Sequence, residues 1–207
     1  MTYDHIAGHN IERLAALSDA VFAVAMTLLI LDIHVPSIET VHSEKDLWQA
    51  LLALTPKAGM FAMSFLTLGI FWVGQQTLLS HYVKGDRNIG WLHIAILFAI
   101  CLMPFSTNLL AEFITYRTAF IIYWLNILVY GVLSYTSLRY ATKRKFIKSD
   151  ISENIYAAMQ QRILTAQMLY AFGASLCFIN TYWALGFILL VQLNYAVSPL
   201  YLLKNKN

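Results

Sequence analysis

The sequence predicts an all-α integral membrane protein with six transmembrane helices. Composition is the first observation: 59% of the 207 residues are hydrophobic and only 12% are charged, whereas soluble domains carry about 25% charged residues. The second is the length of the apolar runs, because a helix needs about 20 mostly apolar residues to cross a bilayer. The third is the unequal distribution of Lys and Arg between the two sides of the resulting topology.

The apolar runs divide a single membrane domain, residues 1–207, into six predicted spans. The fifth and sixth spans come from one long uncharged stretch, which we split at the polar and aromatic step Asn180-Thr181-Tyr182-Trp183. A further apolar piece, Leu47–Leu54, is too short to cross, and either extends the second helix or kinks into it at Pro56. The predicted spans are residues 14–34, 58–80, 91–111, 118–138, 163–182 and 184–203.

Positive charge sets the predicted orientation. With six spans, eleven of the fourteen Lys and Arg residues fall on the side that holds both termini. Because Lys and Arg stay on the cytoplasmic side, we expect both termini in the cytoplasm and the chain as a multi-pass protein of the cell (plasma) membrane. The residues on this side are Arg13, Lys84, Arg87, Arg139, Lys143, Arg144, Lys145, Lys148, Arg162, Lys204 and Lys206.

The first span carries polar residues well inside its cytoplasmic end. Asp19 lies six residues, about 9 Å, beyond Arg13, and Ser18 precedes it. An ionisable side chain within a span is costly and points to function. Because the second span runs in the opposite direction, Gln75 and Gln76 are expected level with Asp19.

The remaining polar residues of the second span extend this predicted cluster. His81 falls at the cytoplasmic face, and Trp72 lies about 13 Å above it. Polar groups that join two adjacent helices satisfy one another in the membrane. Such a cluster either only holds the helices together or controls the position of the first helix.

The first span also carries an apolar stripe, with residues at steps of three or four. This spacing most often means ordinary packing, but several copies around an axis would form stacked apolar rings that gate a pore by dewetting. Thr27 borders the stripe; its hydroxyl either bonds to its own helix or offers oxygen ligands to a cation. The stripe consists of Leu17, Ala20, Val24, Leu28, Leu31 and Val35.

Several motifs are missing from the sequence. It has no Thr-Val-Gly-Tyr-Gly filter, no Arg-rich voltage sensor and no Gly-rich phosphate loop, and no His-Glu-x-x-His or Cys-x-x-Cys motif. We therefore expect no enzyme activity, no cofactor and no metal other than a permeating ion. The modest net charge of +3 follows from membrane orientation and requires no nucleic-acid partner.

Three motifs together resemble the bacterial branch of the lysosomal potassium channel family, transmembrane protein 175. Arg13, then Leu17-Ser18-Asp19 and the apolar run through Thr27-Leu28-Leu29, is similar to the first-helix signature of that family. Phe71-Trp72 resembles its second-helix aromatic pair, and Met103-Pro104-Phe105 its third-helix Leu-Pro-Phe.

The resemblance implies a potassium-selective or potassium-permeable channel, a homotetramer in which four first helices line the pore. It implies that Val24, Leu28 and Leu31 form the hydrophobic constriction and that Thr27 contributes to selectivity. The supporting polar network would contain Arg13, Ser18, Asp19 and Trp72, to which our depth analysis adds Gln75 and His81.

The sequence departs from the family pattern at three places. Leu17 stands where the family has phenylalanine, and Val24 is smaller than the isoleucine or leucine often found there. Gln75-Gln76 occupies the place of a histidine pair.

Two other functions remain open at this stage. One is a proton-coupled secondary transporter that uses Asp19 and His81 as a relay. The other is a membrane scaffold without transport, built on the loop between the fourth and fifth spans. Ion flux through reconstituted protein, with and without a coupling gradient, distinguishes the three.

Overall fold

A computed structural model describes residues 10–148 and 153–204 of the chain. These residues are mostly helical, which confirms the predicted all-α class. Outside the helices they contain one isolated antiparallel bridge. The helices are α1 (Ile11–Leu31), α2 (Glu44–Ala53), α3 (Thr55–Ser80), α4 (Arg87–Cys101), α5 (Met103–Glu112), α6 (Arg117–Lys143), α7 (Glu153–Leu176) and α8 (Thr181–Lys204).

Four helical stretches of the described chain are long and apolar enough to cross a membrane. They are Ile11–Leu31, Thr55–Ser80, Arg87–Glu112 and Arg117–Lys143, and they overlap the first four predicted spans. Helices α7 and α8 overlap the fifth and sixth, and each has 24 residues, or about 36 Å at 1.5 Å per residue.

Helix α1 ends earlier than the predicted first span. Its last residue is Leu31, and Asp32 caps it with its backbone N–H on the Ile30 carbonyl. Val35 precedes Pro36, which disfavours helical backbone at that position, and its side chain is 87% exposed. The helical part of the stripe therefore stops at Leu31, and Val35 does not belong to it.

Prolines follow two breaks in the helices. One break separates the apolar piece Leu47–Leu54 from the predicted second span, and the other lies inside the predicted third span. Leu54 caps the end of α2 and Pro56 is the second residue of α3, so the piece before Pro56 is a separate short helix. The predicted span 91–111 contains a break at Leu102, followed by Pro104. Pro104 has no N–H to give to the carbonyl four residues earlier, and its ring crowds that carbonyl.

The predicted step Asn180-Thr181-Tyr182-Trp183 lies at the start of α8. Helix α7 ends at Leu176 and α8 begins at Thr181. Asn180 Oδ1 accepts a hydrogen bond from the Tyr182 backbone N–H at 2.8 Å, which supports the start of α8. Helix α7 also begins ten residues before the predicted fifth span.

The end of the bundle that carries the α3–α4 and α6–α7 connections is the basic end, with Lys84, Arg87, Arg144 and Lys145. The two connections pair through backbone hydrogen bonds: Val83 N–H donates to the Phe146 carbonyl at 2.8 Å, and Lys148 N–H to the His81 carbonyl at 3.1 Å. This pairing ties the end of α3 to the end of α6.

A buried hydroxyl network joins α3, α6 and α8. Tyr123 Oη lies 3.3 Å from Ser64 Oγ and 3.1 Å from Thr67 Oγ1, and the Gln192 amide donates to Thr67 Oγ1 at 2.7 Å. Tyr123, Ser64, Thr67 and Gln192 are each fully buried. Buried polar groups in a helical bundle need such partners, because their desolvation is otherwise uncompensated.

Substituting Tyr123 by phenylalanine is expected to lower the free energy of unfolding by about 1–3 kcal/mol, because Ser64 and Thr67 lose a buried partner. Thermal unfolding of the purified protein in detergent measures this. Tyr182→Phe is the control, since Tyr182 is 59% exposed. Equal stability of the two variants would contradict the importance of the network.

Candidate pore-lining helix and its polar anchor

The two faces of α1 differ sharply in burial. Ser18, Phe22, Ala25 and Leu29, which follow one another at steps of three or four, are at most 2% exposed. This face packs on α3, α4 and α5. A helix that packs along only one face leaves the opposite face for a partner, lipid or water.

The stripe lies on that opposite face. Leu17 is 45%, Val24 56%, Leu28 43% and Leu31 67% exposed, and Ala20 is also exposed. A shallow apolar groove of about 230 Å³ runs beside it, lined by Ala20, Val21, Val24, Ala25, Leu28 and Cys101. The described side chains of the same chain therefore leave the stripe uncovered.

Asp19 joins α1 to α3. The Trp72 indole N–H donates to Asp19 Oδ1 at 2.7 Å, and the Gln76 amide also donates to Oδ1. Hydrogen bonds to a carboxylate are stronger than those between neutral groups. The expected contact between the two helices at this depth is present, with Trp72 and Gln76 as the donors.

Gln75 lies on the other side of α3 and makes a different connection. Its amide Nε2 is 3.1 Å from His93 Nδ1, and His93 Nε2 is 3.1 Å from the Leu14 carbonyl of α1. The carbonyl can only accept, so His93 Nε2 carries a proton and Nδ1 accepts from Gln75. Gln75 therefore reaches α1 through His93 and does not contact Asp19.

His93 is the residue of this region that sequence reasoning missed. Its side chain is only 2% exposed. No local motif marked it. Its spacing from Asp86, which caps α4 through Ile89 N–H, places it two turns into α4, opposite the start of α1.

The other predicted members of the polar network lie apart from Asp19. His81 caps the end of α3, and its Nδ1 contacts the Thr77 carbonyl at 2.5 Å. Arg13 is exposed near the start of α1, and its backbone N–H donates to the capping Asn10 side chain. Ser18 Oγ is buried, with no hydrogen-bond partner among the described residues.

Thr27 is exposed beside the stripe and bonds back to its own helix. Its hydroxyl donates to the Val24 carbonyl at 2.8 Å. The proton is thus committed to the helix, while the oxygen lone pairs stay available as acceptors. This geometry allows both predicted roles of Thr27, the bond to its own helix and the supply of an oxygen ligand to a cation.

Residues 13–104 match the family model described as endosomal/lysosomal potassium channel TMEM175. This segment contains the stripe, Asp19, both of its donors and His93.

Two proteins are examples of the curated relatives that carry the name potassium channel. One, from Streptomyces collinus, is 39% identical over 102 residues, which cover 49% of this chain and 48% of that protein. The alignment thus spans about half of that relative. The other, from a Chryseobacterium species, is 28% identical over 182 residues, 87% of this chain and 90% of that protein.

A solved structure has a similar fold along almost the whole chain. It is the crystal structure of a lysosomal potassium-selective channel TMEM175 homolog from Chamaesiphon minutus. The TM-score is 0.80 at 26% identity, over 91% of this chain and 97% of the other.

Proposed function

We propose that the chain is a member of the TMEM175 family, which the match of residues 13–104 and the similarity of fold support, and that it is a potassium-selective cation channel of the cell membrane. The active form is a homotetramer of six-span subunits with both termini in the cytoplasm. Four copies of α1 surround a central pore, and the stripe faces that pore. The partners are potassium ions, the lipid bilayer and three further copies of the chain; the channel needs no cofactor and no nucleic acid.

The exposed stripe is the observation that carries this proposal. Exposed apolar residues alone would suit a lipid-facing helix, but the uncovered face of α1 also holds Arg13 and Thr27, and Asp19 lies at its edge. Charged groups are costly against lipid tails. Around an axis, the same polar groups reach water, and one helix per subunit is enough to enclose a pore in a cyclic assembly.

The constriction is formed by rings of Val24, Leu28 and Leu31, which succeed one another at i, i+4 and i+7 in the second half of α1. An apolar ring narrow enough to lose its water blocks ions without a physical plug. A potassium ion must keep or replace part of its hydration there. The helices must therefore separate slightly for conduction, and the anchor at Asp19 controls that movement.

Purified protein in liposomes tests the proposal. A potassium gradient alone should drive flux, and reversal potentials should favour potassium over sodium. A requirement for a proton gradient would instead indicate the coupled transporter, for which Asp19 and His81 share no hydrogen bond in the described part. Absence of any flux from folded tetramers would support the scaffold.

Substituting Thr27 by valine is expected to lower the potassium-to-sodium permeability ratio by about two- to fivefold. Valine keeps the shape of the side chain but removes the oxygen ligand, an effect of about 0.5–1 kcal/mol. Reversal potentials in bi-ionic conditions measure it. Thr136→Val is the matched control, since Thr136 is also exposed and also donates to a carbonyl of its own helix. An unchanged ratio in Thr27→Val would exclude Thr27 from selectivity.

A further inference from the structure

A crevice of about 160 Å³ lies between α3, α6, α7 and α8, away from the stripe. Its walls are largely apolar, and no residue of α1 is among the described residues that line it. The apolar wall includes Phe71, Leu78, Ile163 and Ala166. Nothing in the proposed permeation pathway uses this space.

Three residues that line the same crevice each carry a buried polar atom without a hydrogen-bond partner. Ser134 Oγ, Gln167 Oε1 and Tyr170 Oη have no hydrogen-bond partner in the part of the chain that the structure describes. The Ser134 and Tyr170 side chains are each only 2% exposed. Buried polar atoms are rarely left unpaired, so these three are groups in the crevice wall that a bound molecule could satisfy once small side-chain movements expose them.

The charge at the crevice is positive. Arg162 is the charged residue among its described lining residues, and no Asp or Glu is among them. The Arg162 side chain is exposed at the rim, with its guanidinium carbon 5.6 Å from the centre of the Tyr195 ring. The rim is thus suited to an anionic group.

The lining residues are ordered along α7 by depth. Gln167 lies about 7.5 Å and Tyr170 about 12 Å beyond Arg162 at 1.5 Å per residue. On α3, Val73, Gly74 and Thr77 line the crevice and are exposed, so it opens sideways at the surface of the bundle. Beyond the cation, hydrogen-bonding groups alternate with apolar residues along α7, a lining that complements the phosphate, ester and acyl parts of a phospholipid.

We propose that this crevice binds an anionic phospholipid whose head group carries a free hydroxyl, of the phosphatidylglycerol type. Its phosphate contacts Arg162. After small side-chain movements that open the crevice wall, its ester oxygens accept from the Ser134 and Tyr170 hydroxyls, and a glycerol hydroxyl donates to Gln167. One acyl chain lies along the apolar wall at Phe71. A lipid fits better than a soluble anion because the lining is mostly apolar and opens on helices that cross the membrane.

Binding is measured on the purified full-length protein in detergent, with dioleoyl phosphatidylglycerol and dioleoyl phosphatidylcholine as probes. Native mass spectrometry and thermal unfolding should show tighter retention of phosphatidylglycerol. Arg162→Gln should weaken its apparent affinity about fivefold, as expected for loss of one cation near a membrane surface. Arg139→Gln is the matched control, because Arg139 is exposed on α6 and does not line the crevice.

A second variant fills the crevice without removing charge. A Cβ added at Gly74 would have Tyr130 Oη as its nearest neighbour at 3.8 Å, so a side chain can begin there without a clash. Gly74→Leu places the rest of that side chain in the crevice that Gly74 lines, and leucine also favours the helix. This variant should lose retained phosphatidylglycerol while its lipid-free unfolding temperature does not fall. Retention equal to that of the parent would overturn the assignment.

Two further outcomes would also overturn it. One is equal retention of phosphatidylglycerol and phosphatidylcholine by the parent protein. The other is a thermal shift with glycerol phosphate as large as that with phosphatidylglycerol, which would indicate a site for a soluble anion. Neither readout depends on ion flux, so failure here leaves the channel proposal unaffected.

Discussion

Substituting Leu28 by alanine is expected to raise resting potassium flux by about tenfold or more and to reduce selectivity over sodium. The truncation widens one apolar ring in all four subunits and makes it easier to wet. A barrier lower by only about 1.4 kcal/mol is enough for a tenfold change in rate. Flux and reversal potentials in liposomes measure both effects.

Because Leu28 is largely exposed within its own subunit, Leu28→Ala tests the role of this residue in the pore separately from its role in packing. Its side chain is 43% exposed in the subunit, so truncation removes little packing within the chain, unlike truncation of a buried leucine. Leu190→Ala on α8 is the control, since Leu190 is 66% exposed and far along the chain from α1. Val24→Ala should act in the same direction as Leu28→Ala. Unchanged currents from both would remove these residues from the gate.

Substituting Trp72 by phenylalanine is expected to destabilise the protein by about 1–2 kcal/mol and to change the resting flux. The aromatic body is kept, but Asp19 Oδ1 loses the indole donor at 2.7 Å. A hydrogen bond to a charged group contributes about 1.5–3 kcal/mol, and the 40% exposure of Trp72 places the effect at the lower end. The thermal unfolding temperature should fall by about 3–6 °C.

The flux measurement on Trp72→Phe separates anchoring from simple packing. If the bond to Asp19 holds α1 at a set tilt, losing it should alter the open fraction more than selectivity, because the rings themselves are unchanged. Trp183→Phe is the control, as Trp183 is 73% exposed at the start of α8. A stability loss in Trp72→Phe with currents like the parent would show that the anchor has no part in gating.

The tertiary structure changed the membership of the polar network. Gln75 and Gln76 are neighbours in sequence, and depth alone places both level with Asp19. Helical geometry turns adjacent residues about 100° apart, and only the packing of α3 determines which of them faces α1. It is Gln76 that contacts Asp19, while Gln75 contacts His93. His93 itself escaped prediction because its partner, the Leu14 carbonyl, is a backbone atom 79 positions away.

The sequence by itself determined the helical class, the location of α1 and the residues of its stripe from Leu17 to Leu31, because bilayer thickness and helical periodicity act on local sequence. It also placed the break between α7 and α8 near Asn180 and put a carboxylate within α1. Only the tertiary structure decided that the Ser18–Phe22–Ala25–Leu29 face is buried and the stripe is not. Burial depends on which helices meet, and α3, α4 and α5 approach α1 from one side only.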